Sequence, residues 1–159
     1  MRDTDRSDID VQLLNALSRD RWCGASAFAE QLGVPVSTVR ERLRDLEATG
    51  VITGYVPRLN YTALGFDVTA IFELAVAADA LCDVTSELRD DRRTVAVYRV
   101  TGDTDLIAIG KYETTETMHE QLRTFVTSST IEHVDVKVVF EAVSEFEPIQ
   151  LGSGTSIRK

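Results

Sequence analysis

Residues 26–52 read SAFAEQLGVPVSTVRERLRDLEATGVI, and this stretch decides the fold of the first third of the chain. Phe28 and Leu32 lie one helical turn apart, and Gly33 can end that helix in the left-handed conformation. Pro35 can then open a second helix, because the first turn of a helix does not use the N–H group that proline lacks. The pattern therefore predicts two helices joined by a tight turn.

The second of these helices has an apolar side and a polar side. Its apolar residues recur at spacings of three, four and three, which places them within about 80° of one another around the helix. They are Val36, Val39, Leu43 and Leu46. The polar side and its flanks carry hydroxyl, carboxylate and guanidinium groups, which can contact base edges or phosphates. They are Ser37, Thr38, Arg40, Glu41, Arg42 and Arg44, followed by Asp45.

Two interpretations of this polar side are open. An ordinary helical hairpin with a solvated face is common, whereas three arginines within residues 40–44, just after a turn that contains glycine, favour a helix-turn-helix that reads DNA. On the second interpretation Ser37, Thr38 and Glu41 read bases. The three arginines then contact phosphates or guanines.

The flanking segments complete a small domain. An apolar stripe in residues 9–17 predicts a helix before the hairpin, and residues 51–54 predict a short wing strand followed by a turn. We therefore predict a winged helix-turn-helix over residues 1–56, followed by a connector over residues 57–65.

The composition is that of a globular protein without a membrane anchor. Of the 159 residues, 43% are hydrophobic and 27% charged, and no apolar run approaches the length that spans a bilayer. The N-terminus, MRDTDRSD, is too polar for a signal peptide, so a cytoplasmic location is predicted. Cys23 and Cys82 are far apart and are interpreted as free thiols.

The net charge of −9 has the wrong sign for a protein that binds DNA. Residues 1–60 hold 8 arginines against 9 acidic residues, a net charge of −1, whereas residues 61–159 hold 9 basic against 17 acidic residues, a net charge of −8. The basic residues are 14 arginines and 3 lysines. Few lysines and many carboxylates suit a cytoplasm of molar salt, where the screening length is about 3 Å, so a halophilic archaeal source is one hypothesis. An ordinary acidic regulatory domain explains the charge equally simply.

The second half of the chain predicts a different architecture. Strict alternation of apolar residues predicts strands, and the spacing of apolar residues between them predicts two helices, the second capped by Thr114. The order strand, helix, strand, strand, helix, strand is the ferredoxin-like arrangement, a four-stranded antiparallel sheet with both helices on one face. The fold class is therefore α+β, with a regulatory domain over residues 66–143 and a mobile tail over residues 144–159. In order, the predicted elements occupy residues 66–76, 79–91, 94–101, 105–112, 114–125 and 134–143.

One face of that sheet is left uncovered, because two helices cover only the other. The predicted strands place Ile71, Ala75, Ile107 and Ile109 on this uncovered face. An exposed apolar sheet face predicts a partner, and a second copy of the chain is the simplest one. A homo-oligomer is therefore expected.

Four segments together resemble the Lrp/AsnC family of transcription regulators. The resemblance implies binding to double-stranded DNA, a homodimer formed by the regulatory domain that assembles further into tetramers or octamers, and a response to an amino acid or related small molecule. The segments are DIDVQLLNALSRDR (8–21), LGVPVSTVRERLRDLEATGVITGY (32–55), LNYTALGFDV (59–68) and VTGDTDLIAI (100–109).

The turn after the second predicted strand is the candidate effector site. A plain hairpin explains it, but Gly102 and Asp105 match the G-x-x-D turn of the family, which implies a pocket between dimers. Glycine lets the backbone approach a ligand closely, and Asp103 or Asp105 can accept hydrogen bonds from an α-ammonium group. A hydroxyl-rich loop is the candidate for the opposing wall. The predicted effector residues are Thr101, Gly102, Asp103, Thr104, Asp105, Ser128, Ser129 and Thr130.

Two alternatives use the same fold. Sirohaem decarboxylases resemble the family in both halves but need histidine and basic groups, and the chain has only two histidines, His119 and His133. A metal-responsive regulator would use the histidines and nearby carboxylates as ligands, and two of these carboxylates lie one helical turn apart with a histidine between them. The candidate ligands are His119, His133, Glu116, Glu120 and Glu132. We predict no catalytic residue, metal ligand or cofactor.

Overall fold

The computed structural model describes residues 3–19, 24–145, 147–152 and 155. The chain divides into two compact units, Met1–Pro57 with Ser144–Lys159, and Arg58–Val143. The residues predicted to be a separate mobile tail thus group with the N-terminal unit. The boundary between the units lies inside the predicted connector.

The described part of the first unit contains three helices, as the hydrophobic periodicity predicts. They are α1 (Asp3–Arg19), α2 (Ala25–Leu32) and α3 (Val36–Ala48). One side chain of each helix, Leu13, Phe28 and Val39, is completely buried in their common core. Gly33 ends α2 with φ 65°, the left-handed conformation that the sequence predicts.

The predicted wing strand is wrong. The described part of this unit contains no strand, and the Ile52 N–H group donates to the Leu46 carbonyl at 3.0 Å, a bond that finishes α3. Val51 and Ile52 pack half-buried against the helices, so their apolar character reflects core packing. Two apolar residues without a neighbouring strand do not form a sheet.

The second unit is the predicted βαββαβ sheet. Its strands are hydrogen-bonded in the order β2-β3-β1-β4, and all neighbours are antiparallel. A short 3-10 helix, Thr62–Leu64, precedes the first strand. The elements are β1 (Val68–Val76), α4 (Leu81–Asp90), β2 (Thr94–Arg99), β3 (Leu106–Tyr112), α5 (Thr115–Thr127) and β4 (Ile131–Val138).

Both helices cover the same face of this sheet. Phe72 lies at the centre of the core, with its ring edge-to-face against Phe125 of α5 at 5.1 Å and against Tyr112 of β3 at 6.1 Å between centroids. Burying a side chain of this size stabilises the fold by about 1.5–3 kcal/mol.

Thr114 caps α5, since its hydroxyl accepts from the Thr117 N–H group and the Thr117 hydroxyl accepts in return from the Thr114 N–H group. The cap predicted at Thr114 is thus confirmed.

The last strand is shifted from its predicted position. It begins at Ile131, three residues earlier than predicted, and ends at Val138, although the alternation continues to residue 143. Pairing with β1 ends because β1 itself begins at Val68, and the last bond is from the Val139 N–H group to the Thr69 carbonyl at 2.8 Å. Beyond that point Phe140 is fully exposed.

The second sheet face is apolar on one side and charged on the other. Ile71, Ile107 and Ile109 are half-buried there, and Tyr98 beside Ile107 is 51% exposed. On the β4 side the Lys137 ammonium lies 2.8 Å from carboxylate oxygens of both Glu73 and Asp135. The three isoleucines predicted for the uncovered face are therefore on it.

Candidate functional site

The polar side of α3 is a shallow surface depression of about 320 Å³. It is lined by Ser37, Arg40, Glu41, Arg44 and Asp45. All five are exposed, and Thr38 is half-buried beside them. The periodicity of the helix produces this surface, because Val39, Leu43 and Leu46 hold the opposite side in the core. Five of the six predicted DNA-contacting residues thus lie on or beside one accessible helix face.

Arg42 does not lie on that face, so its predicted contact with DNA is wrong. Its side chain is only 7% exposed, and its guanidinium grips the Asp10 carboxylate of α1 through two bonds of 2.7 and 2.6 Å. A third bond, of 3.0 Å, goes to Asp45. The hydrogen bond to Asp10 raises the pKa of Arg42, against the effect of burial, and the negative charges of Asp10, Asp45 and Glu41 act in the same direction.

The sequence contains a signal for this pair that periodicity alone does not reveal. Arg42 lies three residues after Val39 and four before Leu46, at the edge of the apolar stripe of α3. Asp10 lies three residues before Leu13, on the apolar side of α1. Opposite charges at apolar positions of two packed helices indicate a buried ion pair. The pair fixes α1 against α3, since a fork-to-fork contact tolerates little rotation.

The predicted effector turn lies between β2 and β3. Gly102 has φ 123° and open space around it, so the turn requires glycine for its backbone and not for close packing. The turn is closed by the Val100 N–H group, which donates to the Asp105 carbonyl at 2.9 Å. Thr101, Gly102 and Asp103 are exposed and Thr104 is half-buried.

Asp105 is tied to the sheet. Its carboxylate accepts from the Val76 N–H group at 2.8 Å, and its own N–H group donates to the Leu74 carbonyl at 2.8 Å. The G-x-x-D spacing therefore places its aspartate against the end of β1. Asp103 makes no hydrogen bond or ion pair with any described residue. Of the two predicted α-ammonium acceptors, Asp103 is the more accessible.

The second predicted effector segment meets the same end of β1 from the other side. The Thr130 carbonyl accepts from the Ala77 N–H group at 2.9 Å. The hydroxyls of Ser128 and Thr130 are 2.8 Å apart, and the Thr130 N–H group donates to the Ser128 hydroxyl at 3.2 Å. Since β1 separates the two segments by two strand spacings, they lie roughly 10 Å apart across the sheet. The fold thus brings both predicted segments to one end of the sheet.

Comparison with known proteins decides the family. Residues 69–149 match the Lrp/AsnC ligand binding domain, and residues 6–53 match a winged helix-turn-helix DNA-binding domain. The chain belongs to the Lrp/AsnC family. Its relatives include an uncharacterized HTH-type transcriptional regulator of Pyrococcus abyssi, 30% identical over 87% of this chain and 94% of that protein. Another, from Pyrococcus horikoshii, is 31% identical over 86% of this chain and 93% of that protein.

Solved structures of Lrp/AsnC proteins have the same fold as this regulator. Escherichia coli AsnC matches with a TM-score of 0.79 at 19% identity, covering 91% of this chain and 97% of AsnC. The feast or famine regulatory protein of Mycobacterium tuberculosis, solved in complex with L-methionine, matches with a TM-score of 0.82 at 22% identity, covering 91% of this chain and 98% of that protein.

Neither alternative function gains support for this Lrp/AsnC chain. The matched family and relatives are transcription regulators and not enzymes. His119 and Glu116 share an open surface depression of about 620 Å³ on α5. Within the described ranges, no three or more His, Cys, Asp or Glu side chains are grouped so that they could hold a metal ion. Cys82 is an exposed free thiol, and Cys23 lies outside the described residues.

No helix in the described part of the regulator is both long enough and apolar enough to cross a membrane.

Because Arg42 is paired in the core and Arg40 is exposed, we predict that removing their side chains has very different effects on stability. We expect Arg42→Ala to lower the free energy of unfolding by about 3–5 kcal/mol, because it leaves the Asp10 carboxylate buried without its partner. Arg40→Ala, on the exposed face, changes it by about 0.5 kcal/mol or less. Denaturant unfolding followed by circular dichroism measures both. Equal stabilities of the two variants would contradict the structural role of Arg42.

Proposed function

We propose that this Lrp/AsnC regulator inserts α3 into the major groove of DNA and changes its affinity or assembly when an amino acid binds near the turn at residues 101–105. The observation that carries the DNA-binding part is the accessible polar face of α3, opposite a stripe held in the core. Helix-turn-helix proteins use the second helix in this way, with phosphate contacts that position it and base contacts that give specificity.

Within that face the side chains divide by chemistry. Arg40 and Arg44 carry the positive charge for phosphate or guanine contacts. Ser37 and Glu41 line the same surface, where the Ser37 hydroxyl can donate or accept and the Glu41 carboxylate can accept hydrogen bonds at base edges. Arg42 contributes indirectly, because it holds α3 against α1.

The double variant Arg40→Ala/Arg44→Ala should weaken DNA binding by roughly tenfold or more, since each lost contact of this kind costs about 1–3 kcal/mol. The slope of log K against log salt should become shallower by about two for each recognition helix that contacts DNA. Fluorescence anisotropy with a fragment of the regulator's own promoter, over a range of salt concentrations, measures both quantities.

The matched control for that experiment is Arg89→Ala/Arg92→Ala, which removes the same charge from two exposed positions of the other unit. Its affinity and slope should stay near those of the unmodified chain. If the two double variants lost affinity equally, the effect would be one of net charge, and the assignment of α3 would be wrong.

The salt adaptation is a second part of the proposal. The excess of arginine over lysine and the net charge of −8 on residues 61–159 support a salt-rich cytoplasm, and the relatives from Pyrococcus are archaeal. At molar salt, charges further apart than about 3 Å are screened. The acidic part of the chain then no longer repels DNA.

For the effector we propose an amino acid whose α-ammonium group is held by Asp103. Asp103 is exposed and has no partner in the described part of the chain, whereas Asp105 already accepts from β1. Two proteins of similar fold, from Mycobacterium tuberculosis and Neisseria meningitidis, were solved with L-methionine. An amino acid bound between dimers shifts the assembly by its differential affinity for the two states.

Asp103→Asn should abolish the rise in melting temperature that an amino acid causes, because the amide loses the charge that pairs with the ammonium group. A thermal-shift screen of the amino acids in molar potassium chloride identifies the responding ligand first. Glu87→Gln, an exposed carboxylate on α4, is the control and should respond as the unmodified chain does. A full response in Asp103→Asn would place the ammonium group elsewhere.

We also propose that a second copy of the chain covers the free face of the sheet. Ile107→Asp should convert the oligomer to a monomer of 17.6 kDa, because a buried carboxylate would replace an apolar contact worth about 1.5–3 kcal/mol. Val126→Asp, at an exposed apolar position of α5, is the control and should leave the mass unchanged. Light scattering at micromolar concentration measures the mass, and a monomeric unmodified chain would contradict the proposal.

A further inference from the structure

The side chain of Asn15 on the first helix binds the backbone of the C-terminal segment of the chain. The Asn15 carboxamide donates to the Leu151 carbonyl at 2.9 Å and accepts from the Leu151 N–H group at 2.9 Å. One amide thus satisfies both backbone groups of a single residue 136 positions away in the sequence. Leu151 is half-buried, whereas Ile149 and Gln150 just before it are exposed.

The position of Asn15 on α1 suits this contact. The core of the first unit buries Leu13 and Ala16, which lie close to Asn15 on α1. These contacts hold the part of α1 that carries Asn15 in place. Asn15 itself is half-buried at the edge of that core. A carboxamide offers the same donor and acceptor pair as a peptide group, so it can pair with an extended segment as a neighbouring strand does. The Thr155 N–H and hydroxyl groups both donate to the Gly152 carbonyl, at 3.1 and 2.9 Å.

The connectivity gives this contact a mechanical consequence. The chain leaves the first unit after Pro57 and returns to it at Ser144. The last backbone bond of the sheet is made by Val139, and twelve residues then lead to Leu151. Twelve residues reach at most about 40 Å. While Leu151 is bound to Asn15, two segments of the chain, the connector and residues 140–150, link the first unit to the sheet. Release of Leu151 weakens the second of these links.

We propose that residues 147–152 form a strap that docks on α1 through Asn15 and reduces the freedom of the DNA-binding unit. A second link between the units narrows the range of positions open to α3, so that less freedom is lost when it binds DNA. The strap is a property of the chain on its own, whereas its effect on DNA rests on the function proposed above.

The test uses the full chain and the variant Asn15→Ala. Hydrogen–deuterium exchange of the peptide that contains Leu151 should become markedly faster in the variant, because the Leu151 N–H group loses its acceptor. Exchange in β1 and β3 should not change. Gln12→Ala is the matched control, since Gln12 is an exposed amide on the same helix, and it should exchange as the unmodified chain does.

DNA binding provides the second readout. Asn15→Ala should weaken binding to the promoter fragment by roughly fivefold to 150-fold, the range expected when two hydrogen bonds that favour the competent state are lost. Removal of residues 148–159 should weaken it by a similar factor. Combining the two changes should add nothing further, because both release the same strap.

Each result decides the proposal. Unchanged exchange at Leu151 in Asn15→Ala would show that the strap is not fastened in solution. Faster exchange with unchanged DNA affinity, or additive effects of the two changes, would show that the strap has no role in DNA binding. If the unmodified chain fails to bind its promoter at all, the proposed function is wrong, and the exchange experiment still decides whether the strap exists.

Discussion

The buried pair of Asp10 and Arg42 is the constraint on which the DNA-binding unit depends. Each of these charges loses several kcal/mol of hydration on burial, and only a partner with matched geometry offsets that loss. The two short, parallel bonds between the guanidinium and the carboxylate provide this geometry. An apolar contact between α1 and α3 could slide or rotate, but this one cannot without exposing a charge to the core. The buried ion pair therefore fixes the direction in which the exposed face of α3 points.

The same pair shows where sequence analysis succeeds and where it stops. Hydrophobic periodicity predicts α1 to α3 and the four strands and two helices of the second unit, because each of these elements buries a regular stripe of apolar residues. Periodicity misplaces Arg42 because a residue at the edge of an apolar stripe can point either into the core or to the surface. The carboxylate of Asp10 on the facing helix determines that Arg42 points into the core. The wing strand and the end of β4 fail for another reason. A strand exists only where a second strand lies beside it, and alternation in residues 139–143 does not reveal that β1 begins too late to pair with them.

The turn at residues 101–105 was predictable from the sequence, but the hydrogen bonds of its side chains were not. Glycine and aspartate between two strands indicate a turn, and the resemblance to the family points to a ligand there. Which aspartate is available depends on hydrogen bonds made across the sheet to Val76, some 29 positions earlier in the chain. Asp105 and Thr130 both bond to the backbone at the end of β1, one from each side. A ligand that moves either segment therefore pulls on the same strand end, and β1 can transmit that movement to its neighbours.

The charge distribution sets how this regulator can hold DNA. Nearly all of the net negative charge lies beyond residue 60, while the polar face of α3 offers only two exposed arginines. In dilute salt the acidic part would oppose the approach of DNA over about 10 Å, whereas molar salt removes that repulsion together with most of the gain from counterion release. At the molar salt and in the dimer that we propose, specific affinity would come from short-range base contacts and from two recognition helices acting together, which gain from a high effective concentration. Such binding is sensitive to how freely each DNA-binding unit moves, so restraints like the contact between Asn15 and Leu151 have more influence on affinity in this chain than they would in a strongly basic regulator.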